Sequence, residues 1–281
     1  MTAAQWMACC ELQRVEALAL LREVAGLSHA TLLAHPDALL GADVAARLQE
    51  AALRLHAGEP LAYVLGWREF FGLRFAVSPA VLVPRPETEL LVEFALQRIA
   101  PQGRARILDL GTGSGAIALA VAHERAHAEV WAVDASEDAL AVAAQNARAL
   151  LPPHRAGGAL RLLAGDWFAA LPPHPPRFDI ILSNPPYVAK GDVHLEMLQH
   201  EPQLALVGAA GGDGLADIRR IVAAAPAHLA EGGWLAMEHG YDQAQAVRAM
   251  LCAAGLTAVG TQPDLAGIPR MTFGQRPVEG R

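Results

Sequence analysis

A chain of 281 residues with 53% hydrophobic content carries enough apolar material for one or two domains with a sizeable core, which excludes a disordered chain. Its formal net charge of −7, with 22 Lys and Arg against 29 Asp and Glu, argues against a surface that tracks nucleic-acid phosphates. No apolar run approaches the roughly 18 residues of a membrane span, and the N-terminus lacks a signal-peptide layout. Cys9, Cys10 and Cys252 form no metal-spaced cluster, so a reducing, cytoplasmic setting is expected.

Up to about Ala57 the pattern is helical. Leu12, Val15, Ala19 and Leu20 recur near helical spacing, and Ser28 and Asp37 read as caps of successive helices. Short connections through Gly26, Pro36 and Gly41 predict a bundle of about four or five helices over residues 1–57, read as a packing or partner-docking domain. His29, His35 and His56 stand apart from one another. Residues 58–93 read as a linker in which Phe70, Phe71, Leu73, Phe75 and Val77 around Gly72 predict a β-hairpin. The segment Pro84-Arg85-Pro86-Glu87-Thr88-Glu89 then reads as a stiff helix start, with Pro86 in the first turn and acids near the positive end of the helix dipole. Arg85 and Glu87 are also candidates for the wall of a site.

Residues 94–281 read as a further domain, in which from Ala105 onward strands and helices alternate, the signature of a doubly wound parallel sheet. Ile107-Leu108-Asp109-Leu110 is the first strand, Gly111-Thr112-Gly113-Ser114-Gly115 the loop after it, and residues 116–124 a helix. Glycines let backbone N–H groups approach a ligand at a helix N-terminus. Asp134 closes the second strand at the distance expected of a ribose-binding acid, which suits a dehydrogenase and a sulfonium-nucleoside binder equally. A helix capped by Ser136 runs to about Leu150, residues 152–158 form a loop, and the third strand, residues 160–164, leads into Gly165-Asp166-Trp167, an acid and a ring suited to an adenine. The fourth strand, Phe178 to Ser183, stops at Asn184-Pro185-Pro186-Tyr187 because proline donates no ladder hydrogen bond. Loops through Glu201 and residues 211–215, a helix from about Ala216 to Leu229, a turn at Gly232-Gly233, a fifth strand over 234–238, a helix over 243–254 and two closing strands near 257–262 and 270–274 complete the pattern. His194 and His200 have no further ligand at metal-site spacing.

Asn184-Pro185-Pro186-Tyr187, Asp109 to Gly115 and Pro84 to Glu89 together resemble the protein-(glutamine-N5) methyltransferases that modify peptide chain release factors. The resemblance takes in Glu59-Pro60-Leu61-Ala62-Tyr63, Asp213-Gly214-Leu215 and Asp264-Leu265-Ala266-Gly267 and covers nearly the whole chain, the first sixty residues mainly as a helical domain. It implies an α/β fold: a seven-stranded, Rossmann-like class I methyltransferase domain preceded by a small helical bundle and a linking β-hairpin. It further implies S-adenosyl-L-methionine as cofactor and a release factor as protein substrate, methylated at the glutamine of its Gly-Gly-Gln motif to modulate translation termination, with no direct nucleic-acid or membrane partner. The cofactor's neighbours would be Gly111, Thr112, Gly113, Ser114, Gly115, Asp134, Trp167 and Asn184. Asp109 would either reach the cofactor's ammonium indirectly or fix the glycine loop.

A carboxamide nitrogen is a poor nucleophile because its lone pair is delocalised, so an enzyme gains by orienting it. The Asn184 side-chain oxygen and the Pro185 main-chain oxygen are two acceptors for the two amide hydrogens, and they would stabilise the charge developing on nitrogen. Tyr187 would supply a flat face, with Pro186 and Pro185 holding the register, so Asn184, Pro185, Pro186 and Tyr187 are the expected substrate contacts. The same tetrapeptide serves adenine-N6 methyltransferases of DNA or RNA, the alternative reading, against which the acidic charge speaks. A dehydrogenase would leave Asn184 to Tyr187 unexplained.

Overall fold

A computed structural model describes residues 1–152, 158–208 and 212–278. Of the loops expected from the sequence, residues 153–157 and Gly211 lie outside the described residues. The chain divides into two compact units, Met1–Trp67 and Arg68–Arg281, the division falling inside the stretch read as a linker.

The first unit holds α1 (Ala3–Cys9), α2 (Arg14–Ala25), α3 (His29–Ala34), α4 (Ala42–His56) and α5 (Leu61–Leu65). Thr2 and Gln5 form a capping box on α1, and Ser28 caps α3 by accepting from Thr31 N at 3.0 Å. The core is built on Trp6, Leu20, Leu21 and Leu48, each at most 1% exposed. The buried stripe of α2 runs through Ala17, Leu20 and Leu21, and Val15 is 66% exposed. One expectation fails here. Asp37 caps nothing: α4 begins five residues later, behind Gly41, so the acid sits in the preceding turn. The stretch around Leu61 also coils into α5, ended by Gly66 in the left-handed region at φ 78°.

The hairpin β1 (Trp67–Phe70) and β2 (Leu73–Ala76), whose first residue closes the first unit, leads into the second, followed by a 3₁₀ turn over Pro86–Thr88 and α6 (Glu89–Arg98). Glu89 Oε1 accepts from Phe71 N at 2.8 Å and ties the hairpin turn to that helix. Then follow β3 (Arg106–Leu110), α7 (Ala116–Glu124), β4 (Glu129–Asp134), α8 (Glu137–Leu150), β5 (Leu160–Ala164), β6 (Phe178–Ser183), α9 (Gln203–Val207), α10 (Ala216–His228), β7 (Leu229–Glu238), α11 (Ala244–Ala253), β8 (Thr257–Pro263) and β9 (Pro269–Gln275). Among the described residues one seven-stranded sheet runs in the order β5-β4-β3-β6-β7-β9-β8, parallel except for β9, which is antiparallel to both β7 and β8. The architecture is the one expected from the sequence. One detail differs: Gly232 and Gly233 do not precede the fifth strand but lie within β7, whose pairing with β6 slips between Phe178 and Ile180. An irregularity of this kind absorbs extra residues without ending a strand.

Alternate residues of the central strands face opposite ways, so the sheet is apolar on both sides. Ile107, Val130, Ile180 and Leu182 pack with α6 and α7 through Leu91, Phe94, Ile117 and Val121. Leu108, Val133, Ile181 and Leu235 pack with α10 and α11 through Ile218, Ile221, Val247 and Leu251. The chain winds outward from β3 to β5 and then returns to β6 on the other side of β3. A crevice therefore opens at the carboxyl ends of β3 and β6, where ligands of such sheets bind.

Candidate active site

Register brings the two sequence signatures together. Leu110 pairs with Ser183, so Gly111 and Asn184, the next residues, leave the sheet side by side. Ser183 Oγ donates to Leu110 O at 2.7 Å and fastens the two strand ends. Between them lies a cavity of about 200 Å³ whose walls include Gly111, Thr112, Gly113, Ser114, Asp134, Trp167, Asn184 and Pro186. Gly115, Pro185 and Tyr187 stand outside its lining: Gly115 caps α7, Pro185 is buried, and Tyr187 is held from behind. Arg85 and Thr88 also reach the cavity, whereas Glu87 does not line it.

The glycine loop is fixed from below. Gly111 and Thr112 N–H groups both donate to Val133 O at 2.9 Å, and Gly113 N donates to Asp134 Oδ2 at 2.7 Å. Gly111 adopts φ 75°, which strains any other residue, and a Cβ there would crowd the Trp167 ring at 3.2 Å. Asp134 Oδ1 accepts from Ser136 N at 2.9 Å. Burial pushes the Asp134 carboxyl up, while backbone N–H groups of Ser136, Gly113 and Ala135 pull it back. Each of its oxygens keeps a lone pair for a further donor. Trp167 sits at φ 48°, an uncommon conformation for a bulky residue, and its Nε1 donates to Asp217 Oδ1 at 3.1 Å. Arg220 from α10 pairs with both Asp166 and Asp217, so the ring and its neighbouring acid are held by one helix.

Asp109 lies wholly buried under this loop, with Oδ2 accepting from Thr112 Oγ1 at 2.6 Å and from Ala118 N at 3.2 Å. Its Oδ1 has no partner among the described residues. Burial pushes its pKa up to about 7 despite those two hydrogen bonds. An acid raised in the folded state keeps its proton there after the unfolded chain has released its own, so it weakens folding as pH rises from about 4 to about 7. We expect the unfolding free energies of the wild type and Asp109→Asn to diverge with pH across that window, by up to about 1.4 kcal/mol per pH unit, and to run parallel above about pH 8. Denaturant titration at a series of pH values checks this, and a constant difference refutes it.

At the other wall, Asn184 Nδ2 donates to Thr88 Oγ1 at 3.1 Å, Thr88 Oγ1 donates to Glu238 Oε2 at 2.6 Å, and the Tyr187 hydroxyl donates to Glu238 Oε1 at 2.9 Å. Glu238 is 2% exposed; burial pushes its carboxyl up, and the two hydroxyl donors oppose that shift. Burial and the adjacent Glu238 charge push the Tyr187 phenol upward, which keeps it a donor. Arg85 pairs with Glu201, itself 5% exposed and accepting from Val83 N at 3.0 Å, so the Pro84–Glu89 segment is anchored to the loop after β6.

Comparison with known proteins places this geometry. A family model described as the methyltransferase small domain matches residues 86–204, and one described as the PrmC N-terminal domain matches residues 4–66. The release factor glutamine methyltransferase of Burkholderia pseudomallei is 50% identical over 278 residues, spanning 98% of this chain and 96% of its own. That of Bordetella pertussis is 52% identical over 266 residues, spanning 94% and 95%. The chain belongs to the release factor glutamine methyltransferase family. Among solved structures a methyltransferase from Pyrococcus furiosus is similar at a TM-score of 0.54 and 19% identity, covering 82% of this chain and 99% of that one, a likeness of fold alone.

Within this glutamine methyltransferase, sequence reasoning missed Thr88, Glu201, Asp217 and Glu238 as site residues, and Asn146 behind the site. Asn146 is 1% exposed and donates from Nδ2 to Ser114 O at 2.8 Å and Ala76 O at 3.0 Å, bracing the glycine loop against β2. A signal existed: Asn146 falls on the same helical stripe as the buried Ala139 and Ala143, where an apolar residue is expected. Glu238, likewise, closes a parallel strand at the ligand-binding end of the sheet. Among the described residues no group of three or more His, Cys, Asp or Glu converges as metal ligands do, and no helix is long and apolar enough to cross a membrane.

Proposed function

We propose that the protein transfers the methyl group of S-adenosyl-L-methionine to the side-chain amide nitrogen, N5, of the glutamine in the Gly-Gly-Gln motif of peptide chain release factors, in the cytoplasm, and so modulates translation termination. The observation that carries the reading is the placing of Asn184 on the cavity wall next to the glycine loop, with its amide nitrogen already engaged by Thr88. The near-full-length identity to release factor glutamine methyltransferases supports the choice of substrate.

The cavity suits the cofactor. Gly111 leaves space against Trp167 that a Cβ would fill, and Asp134 retains lone pairs for ribose hydroxyls. Gly111 to Gly115 would hold the methionine part, Asp134 the ribose, and Trp167 the adenine, with Asn184 beside the reacting end. When bound, S-adenosyl-L-methionine supplies an electrophilic methyl on its sulfonium sulfur. The chain's own groups do the positioning. Asn184 Oδ1 and Pro185 O accept the two hydrogens of the glutamine amide, turn its nitrogen lone pair outward and stabilise positive charge as the bond forms. Tyr187 gives the planar amide a face whose position is fixed by its hydroxyl on Glu238. No base is needed before transfer, since the N-methylated amide cation is strongly acidic and loses its proton afterwards. Residues 1–67, which include the match to the PrmC N-terminal domain, are assigned to docking the release factor.

The test is incubation with methyl-labelled S-adenosyl-L-methionine and, in separate reactions, a release factor, its Gly-Gly-Gln variant with Gln→Ala, duplex DNA and RNA. Label is expected in the intact release factor alone. Label in nucleic acid, or persisting in the Gln→Ala factor, would overturn the reading.

A further inference from the structure

The proposed chemistry asks more of Asn184 than its presence. A carboxamide side chain has an acceptor end and a donor end of nearly the same shape, and only the oxygen can receive a hydrogen from a substrate amide. If the group were turned by half a rotation, its own –NH₂ would face the substrate –NH₂, two donors opposed. Something in the protein must fix which end faces the cavity.

The geometry points to Thr88 and Glu238 as the pair that fixes it: a buried carboxylate takes the threonine's single hydroxyl hydrogen, so the threonine oxygen can only accept, and Asn184 must therefore offer it nitrogen. This inference rests on the reading of Asn184 as an amide acceptor. The Thr88 to Glu238 contact, 2.6 Å, is the shorter of the two hydrogen bonds at Thr88 Oγ1, and a carboxylate is acceptor-only. The lone pairs of Thr88 Oγ1 then meet Asn184 Nδ2 at 3.1 Å. Asn184 Oδ1 has no partner among the described residues, and both Asn184 and Thr88 line the cavity. Glu238 uses its second oxygen to hold the Tyr187 hydroxyl at 2.9 Å, so one carboxylate positions both polar ends of the Asn184–Tyr187 segment. Thr88 is 4% exposed.

Thr88 is thus a positioning residue: in the proposed reaction it acts through the orientation of Asn184. Thr88→Val keeps the shape and removes the hydroxyl, freeing the Asn184 amide to turn. Thr88→Ser restores the hydroxyl. The experiment compares wild type, Thr88→Val, Thr88→Ser and Asn184→Ala in release factor methylation, with kcat and KM resolved, S-adenosyl-L-methionine affinity by calorimetry, and melting temperature. The expected result is a kcat for Thr88→Val lowered about ten- to a hundredfold with KM and cofactor affinity held within about threefold, and a kcat for Thr88→Ser within about threefold of wild type. Should the valine variant melt below the assay temperature, Thr88→Ala takes its place in the same comparison. A hydroxyl-free variant that folds and keeps wild-type kcat, alongside an inactive Asn184→Ala, overturns the positioning role and leaves the reading of Asn184 standing. Full activity in Asn184→Ala overturns both. Serine failing to rescue a folded, inactive valine variant also overturns the proposal, since the hydroxyl would then not be what matters.

Discussion

Asn184→Ala is expected to lower methyl transfer to a release factor by at least about a hundredfold while leaving the fold intact, because a preorganised partner aimed at developing charge is worth about 10²–10³ in rate. The side chain is only partly buried and its one hydrogen bond among the described residues is to Thr88, so its loss leaves a small gap at the cavity wall and no orphaned charge. Thr88 keeps its bond to Glu238 in the variant. An interaction that strengthens as positive charge builds on the substrate nitrogen lowers kcat and kcat/KM together when removed, with little change in KM. Cofactor affinity should stay within about threefold, since the glycine loop, Asp134 and Trp167 are held by bonds that do not involve Asn184. Steady-state kinetics with calorimetry of cofactor binding checks all of this. A variant within about tenfold of wild-type kcat would mean that another group receives the amide hydrogens.

How much of this site was visible in the sequence depends on how far apart its partners lie in the chain. The glycine loop and the Asn184–Tyr187 segment were legible because both are local: a β-branched run stopped by glycines or prolines at a strand end needs no knowledge of the rest of the fold. The alternation of strands and helices likewise determined the doubly wound sheet. What could not be read was pairing at a distance. Thr88 and Glu238 are separated by 150 residues, Val83 and Glu201 by 118, Trp167 and Asp217 by 50. Each joins a residue that looks like a helix start, a loop acid or a helix acid to one that looks unremarkable until the sheet order β3-β6-β7 brings them together. The misreading in the first unit has a different origin: an acid just after a proline has the local look of a helix cap, yet α4 starts five residues beyond Asp37, behind Gly41.

Gly214→Ala is expected to damage activity more than its size suggests, through a contact with the backbone of Tyr187. Gly214 is buried at φ 74°, and a Cβ added there would lie 2.2 Å from Tyr187 O and 2.9 Å from Tyr187 C. Neither atom is the free end of a side chain. Tyr187 O also accepts from Gln243 Nε2 at 3.1 Å, and that nitrogen would itself stand 3.0 Å from the new methyl. The two backbone segments must therefore separate, and the expected movement of Tyr187 carries Asn184 and Pro185 with it, whereas displacements of about 1 Å already cost about a hundredfold in positioned catalysis. Left-handed backbone strain of about 1–2 kcal/mol adds to this in stability. Gly212→Ala separates the two effects: Gly212 has φ 87° in the same loop, but a Cβ there meets nothing within 4 Å. Both variants should melt lower than wild type, and only Gly214→Ala should lose kcat by more than about tenfold. Equal losses of kcat in the two would show that loop strain, and not the contact with Tyr187, governs the segment that holds the substrate.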